Sequence, residues 1–240
     1  MESERIAKFM ARAGIASRRE SERLIEARRV TLNGALVLHP ATMVNADDAL
    51  AVDGRMVAPP EQPRIWRYHK PAGLVTTARD PQGRPTVFAA LPRHLPRLVS
   101  VGRLDVNTEG LLLLTNDGEL ARFLELPAQG FSRTYRIRAH GRADENLLAR
   151  LADGVTIDGV RYRPAHAVLD SRRGGNCWMT MTLREGKNRE IKKLLEHFGL
   201  HVTRLIRTGY GPFKLDSLSK GAVEEIPSAQ CRKLLPQYFS

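Results

Sequence analysis

Cysteine is nearly absent from this chain of 240 residues, with Cys177 and Cys231 the only two. Two thiols so far apart in sequence make neither a zinc cluster nor a C-x-x-C redox pair, and both are expected to be reduced and partly buried. Histidine does not fill the gap. His197 and His201 have the spacing of a helical ligand pair, but Gly199 lies between them where a helix stops, so no metal is expected. Long apolar runs are missing as well: no stretch approaches a membrane span, and no apolar segment follows the start as in a secretory leader. The opening Met1-Glu-Ser-Glu-Arg carries neither a lipidation signal nor a basic amphipathic anchor. A cytoplasmic protein without a membrane partner is expected. Acidic residues are in deficit, 26 against 38 Lys+Arg, which leaves a net charge of +12. Such a surplus concentrates polyanions, and nucleic acid is the commonest polyanion in a cell.

What is present divides in two. Ile6, Phe9, Met10 and Ala13 recur at helical spacing, Gly14 ends that turn, and Ser17 with Glu20 forms a capping box for a second helix. That helix and its ends carry Arg18, Arg19, Arg23, Arg28 and Arg29. Asn33-Gly34 and Asp53-Gly54 then predict hairpins, and Ala58-Pro-Pro-Glu-Gln-Pro63 cannot continue a helix or a central strand. The boundary is placed there, giving a small module over 1–62 and a larger domain over 63–240. In the larger domain, strands are expected at Ile65 to Tyr68, Leu98 to Val101, Leu111 to Thr115, Thr134 to Ala139, Cys177 to Leu183 and Val202 to Ile206. Helices are expected at Glu119 to Leu126, Ala143 to Ala152, Asn188 to Phe198 and Ser228 to Leu235. Asn116-Asp-Gly118 reads as a hairpin turn. Neighbouring strands joined by turns imply an α+β fold with a mixed, mainly antiparallel sheet.

The chemistry-bearing stretch is Gly102-Arg-Leu-Asp-Val-Asn-Thr-Glu-Gly-Leu-Leu-Leu-Leu-Thr-Asn-Asp-Gly118. Taken alone, Asp105 in such a loop is a turn residue bonding its own backbone, or an ion-pair partner of Arg103. In Arg133-Thr-Tyr-Arg-Ile-Arg-Ala139, alternation puts Tyr135, Ile137 and Ala139 on one face and the arginines on the other. In Arg184-Glu-Gly-Lys-Asn-Arg-Glu-Ile-Lys-Lys-Leu-Leu-Glu196, the face of Ile191, Leu194, Leu195 and Phe198 has Lys192 at its margin, while Lys193 points away.

The ordered run from Gly102 to Gly118 resembles the signature motif of the rRNA pseudouridine synthases, in the branch that modifies single uridines of small- or large-subunit rRNA. The first quarter of the chain resembles the S4-type RNA-binding domain that commonly precedes this enzyme. The resemblance implies Asp105 as the catalytic carboxylate, Tyr135 against the flipped uracil, and Lys192 paired with Asp105. It implies Arg103 as a helper that fills the space the base vacates. Tyr68-His-Lys-Pro-Ala-Gly73 is similar to the family's first motif, and Lys70 is taken with Lys8, Arg18, Arg19 and Arg28 as a substrate or RNA contact. His69 stands where the family often has Asn and is given no role.

The isomerisation breaks the N1–C1′ bond, turns the released uracil and joins C5 to C1′, with no redox change, so no cofactor is expected. A carboxylate serves as nucleophile at carbon or as base at the sugar, and both need it ionised; a fixed cation such as Lys192 favours that form. The partner implied is ribosomal RNA, more particularly of the large subunit, or a ribosomal assembly intermediate, acted on by a monomer. Two alternatives compete. An S4-containing RNA-binding or ribosome-assembly protein without catalysis has no need of Asp105, Tyr135 and Lys192 together. A nuclease or glycosidase needs a second acid or a metal cluster, for which the motif offers only Glu109 and Asp117.

Overall fold

The computed structural model describes residues 3–45 and 47–239, so Met1 and Glu2, on which part of the reading of the chain start falls, lie outside it. The backbone separates into two compact units. One comprises residues 1–64 with His94–Val99 and Asn116–Gly118; the other comprises 65–93, 100–115 and 119–240.

In the first unit, helix α1 (Ile6–Arg12) buries Ile6, Ala7, Phe9 and Met10, as the helical period requires. Helix α2 (Arg18–Glu26) opens on the expected capping box: the Ser17 hydroxyl accepts from the Glu20 amide, and the Glu20 carboxylate from the Ser17 amide. Strands β1 (Val30–Leu32), β2 (Ala35–Leu36), β3 (Leu50–Val52) and β4 (Arg55–Met56) form a sheet in the order β2-β1-β3-β4. Its two hairpins turn at Asn33-Gly34 and Asp53-Gly54, all four residues at positive φ, which matches the twist of the strands they join. Residues 57–64 form neither helix nor strand.

The second unit is built on one mixed sheet. Its strands are β5 (Ile65–Lys70), β6 (Thr108–Thr115), β7 (Arg133–His140), β8 (His166–Arg173), β9 (Asn176–Leu183), β10 (His201–Tyr210) and β11 (Val223–Ile226). Their order is β8-β9-β7-β10-β6-β5-β11, with a short strand Phe213–Lys214 beside β10. Every pairing along the order is antiparallel except β6 with β10. All eight residues of β6 are buried, which is why Leu111 to Leu114 read as a continuous apolar run rather than an alternating one. Helices α3 (Gly118–Glu125), α4 (Glu145–Asp153) and α5 (Glu190–His197) lie between these strands in sequence, and α6 (Ser228–Leu234) comes after β11. Leu147 and Leu151 of α4 and Ile191, Leu194 and Leu195 of α5 pack with Ile137, Met179, Met181 and Leu183 into one core.

One expectation differs from the structure, and two strands were not expected. Asn116-Asp-Gly118 does not close a hairpin; it leads from β6 directly into α3, and neither Asn116 nor Asp117 takes the positive φ a two-residue hairpin needs. Strands β8 and β11 lie at the two edges of the sheet and were not foreseen. Along β8 the register shifts between Leu169 and Ser171, which breaks the alternation that announces a strand.

Candidate active site

The second unit contains a pocket of about 770 Å³, walled by residues 102–108, by β7 and β10, and by the segment 185–192 that leads into α5. Asp105, Arg103, Tyr135 and Lys192 all line it.

The loop bearing Asp105 is fixed by its backbone. Lys70, buried with no exposed surface, lies at the end of β5, and its ammonium donates to the carbonyls of Pro71 (3.0 Å), Asp105 (3.2 Å), Val106 (3.1 Å) and Thr108 (2.9 Å). Gly73, at φ +92°, donates its amide to the Val106 carbonyl, and the Thr76 hydroxyl donates to the Leu104 carbonyl. The Lys-Pro-Ala-Gly segment is therefore the clamp of the Asp105 loop. Lys70 is not an RNA contact, since its cation is buried and spent on carbonyls. Burial lowers its pKa to about 8, while the charges of Asp105 and Glu109 oppose the fall.

Asp105 itself is exposed, and among the described residues its carboxylate makes no hydrogen bond or ion pair. The turn-residue reading fails on that point: the loop is pinned by Asp105's carbonyl and leaves the carboxylate free. Neither of the anticipated ion pairs, to Lys192 or to Arg103, is formed. Asp105 is exposed and Lys192 half-buried, and an ion pair in contact with solvent gains only about 0–1 kcal/mol. Arg103 is exposed beside Gly102, whose amide donates to the Glu125 carboxylate (2.6 Å).

Tyr135 owes its place to a bulge. Thr134 pairs with Gly209 but Tyr135 with Arg207, so Thr208 is the extra residue. The shift puts Tyr135 and Arg207 directly across from each other, side chains on one face of the sheet and both on the pocket wall. Arg207 escaped the sequence reading, which ended the strand at Ile206. Extending the alternation one step places an arginine inward, beside Leu205, a charge on a buried face.

Segment 184–189 brings two further cations, Lys187 and Arg189, to the pocket, and β7 brings a third, Arg133. Arg189 caps α5 at φ +53°, a strained conformation for a non-glycine residue, and sends Lys192 into the first turn, half-buried, while Lys193 is exposed. Glu190 is buried, its carboxylate accepting from the Lys187 amide (3.1 Å). Burial, reinforced by the neighbouring Glu185 carboxylate, pushes its pKa up to about 8. Burial raises Glu185 too, but its pairing with Lys187 and the Arg163 amide outweigh this and hold it below the usual range. Glu109, a conceivable second acid, is bound by Arg204 (2.8 Å) and Lys220 (2.6 Å), with its pKa lowered to about 2 mainly by Arg204. Among the described residues no cluster of His, Cys, Asp and Glu is arranged to hold a metal ion, and no helix is long and apolar enough to cross a membrane.

In the first unit, Arg18, Arg19 and Arg28 are exposed, Arg28 at φ +56° just past α2. Lys8 is half-buried and within 3.4 Å of Glu4, four residues before it.

The mixed-sheet fold and the two-helix module before it in sequence have known counterparts. The family description "RNA pseudouridylate synthase" matches residues 64–197, more than half of the chain, and that of the S4 domain matches residues 4–50. The chain belongs to the RNA pseudouridylate synthase family and carries an S4 domain. An uncharacterized RNA pseudouridine synthase of Rickettsia felis is 46% identical over 93% of this chain and 96% of its own. The ribosomal large subunit pseudouridine synthase B of Pasteurella multocida is 42% identical over 94% of this chain and 68% of its own. A solved pseudouridylate synthase, 27% identical, superposes with a TM-score of 0.66 over 96% of this chain and 99% of that one.

Proposed function

We propose that this enzyme converts one uridine of large-subunit ribosomal RNA to pseudouridine, with Asp105 as its catalytic carboxylate. The observation that carries the reading is the free Asp105 carboxylate in one pocket with Tyr135, Lys192 and Arg103, on a loop held from behind by Lys70. Large-subunit rRNA is favoured because the Pasteurella relative is named for that substrate. Residues 1–62 serve as the RNA-binding module and 63–240 as the catalytic domain, working as a cytoplasmic monomer on rRNA or an assembly intermediate. No cofactor is required, because the product is an isomer of the substrate.

The target base leaves its stack, at a cost of a few kcal/mol, and Arg103 occupies the space it leaves. Tyr135 stacks on the uracil, its hydroxyl being the base that removes the C5 proton late in the reaction. Entry of the base expels water, which strengthens the attraction between Asp105 and Lys192; they pair in the loaded enzyme and hold Asp105 ionised. Lys192→Met is expected to lower turnover by roughly two orders of magnitude or more with RNA affinity unchanged. A fully active variant, read by single-turnover kinetics, removes Lys192 from this role. The reading as a whole is tested by tritium release from C5-labelled uridine in large-subunit transcripts and particles. Release is expected from wild type and not from Asp105→Asn. No release from any rRNA by wild type overturns it and leaves an RNA-binding protein.

A further inference from the structure

We infer that Arg207 is a catalytic residue of this reaction: its guanidinium donates a hydrogen bond to a carbonyl oxygen of the flipped uracil and stabilises the negative charge that the base carries while detached from the sugar. The inference rests on the function proposed above.

Three features of Arg207 point this way. It is a buried cation, 2% exposed, with no carboxylate partner among the described residues. Its Nε donates to the Leu111 carbonyl (2.7 Å), which fixes the plane of the guanidinium, whereas Nη2 is buried with no hydrogen-bond partner. The guanidinium also lies over the Tyr210 ring, 5.1 Å from its centroid, and that side chain is itself anchored through its hydroxyl to the Leu124 carbonyl (2.9 Å). A buried cation without a carboxylate costs stability, and the Leu111 carbonyl and the Tyr210 ring still leave its Nη2 donor unused. Its position accounts for that donor. Arg207 is the cross-strand neighbour of Tyr135 and shares the pocket wall with it, so a base stacked on Tyr135 comes to rest beside the guanidinium.

The chemistry calls for a cation at that point. When N1–C1′ breaks, the bond's electron pair stays with the uracil and spreads over N1, O2 and O4. When C5 then bonds to C1′, the C5 proton is lost to a base and N1 takes up one proton, so the atoms balance. A guanidinium held by Leu111 and Tyr210 needs no reorganisation to meet the charge as it develops, which is the condition for lowering the barrier rather than only binding the ground state.

The experiment is single-turnover conversion by wild type, Arg207→Lys and Arg207→Ala with an rRNA fragment on which the wild type is active, alongside melting curves and RNA affinities. Arg207→Lys is expected to slow conversion by on the order of a hundredfold with affinity within twofold of wild type. Arg207→Ala is expected to be slower still and to regain rate when millimolar guanidinium is added, a response wild type lacks. A folded Arg207→Lys at near wild-type rate overturns the inference. So does a loss confined to RNA affinity, or an Arg207→Ala variant that guanidinium does not accelerate. A wild type that converts no rRNA overturns the proposed function instead, and the two failures are thereby distinct.

Discussion

Glu190 shows how one residue in the pocket wall couples pH to the enzyme. Its carboxyl is buried beside the Glu185 carboxylate, and its pKa stands at about 8 in place of an ordinary 4.5. Between those values the folded chain holds a proton that the unfolded chain has released, so stability falls as pH rises through that window, and the loss is complete above about 8. Glu190→Gln keeps the acceptor for the Lys187 amide and removes the titration. The variant and wild type are therefore expected to melt together below the window, and the variant to melt several degrees higher once pH exceeds the upper value. Melting curves across that range provide the check; a constant gap at every pH would mean that Glu190 is ionised throughout.

At the scale of elements, the seam between β6 and β10 holds the site together, and Gly110 is what permits it. A Cβ on Gly110 would lie 2.2 Å from the Arg207 carbonyl oxygen, and φ there is +103°. Gly110→Ala is expected to cost about 3 kcal/mol or more and to lower turnover even where the protein still folds, because parallel pairing of β6 with β10 sets Arg207, on the pocket wall, directly opposite Gly110. A urea midpoint close to wild type would contradict this. The need for that glycine was present in the sequence only as a letter of a motif, since no local pattern announces that a distant strand passes so close. Other parts were legible because their causes are local: the Ser17–Glu20 capping box, the Asn-Gly and Asp-Gly hairpins, the inward face of Tyr135, and the contrast of Lys192 with Lys193. Lys70 was misread for the same reason that Gly110 was opaque. A lysine in a basic protein reads as a surface charge, and only the packed structure shows four carbonyls converging on it. The bulge at Thr208 likewise depends on the pairing partner and hid Arg207 from any single-strand reading.

Over the whole molecule the governing quantity is the net charge of +12. A polyanionic substrate is drawn in by release of its counterions, so affinity falls with salt in proportion to the number of phosphates neutralised. Arg18, Arg19 and Arg28 have no ion pair among the described residues, whereas Arg29 is tied to Asp53 and Lys8 to Glu4. The first three, like the exposed Arg5 and Arg23, are thus cations of the S4 domain with charge to give. Replacing all three with Gln should reduce the slope of log affinity against log salt by roughly 2–3, at about 0.7–0.9 for each phosphate left without its cation. Turnover at saturating RNA should stay near that of wild type, because none of the three lines the pocket. Asp105→Asn should do the reverse, keeping affinity and its salt slope while abolishing conversion. Filter-binding titrations at several salt concentrations, run beside single-turnover assays, separate the two effects. If the triple variant kept the wild-type salt slope, the S4 domain would hold RNA through other groups, and the charge that drives binding would have to be sought in the catalytic domain.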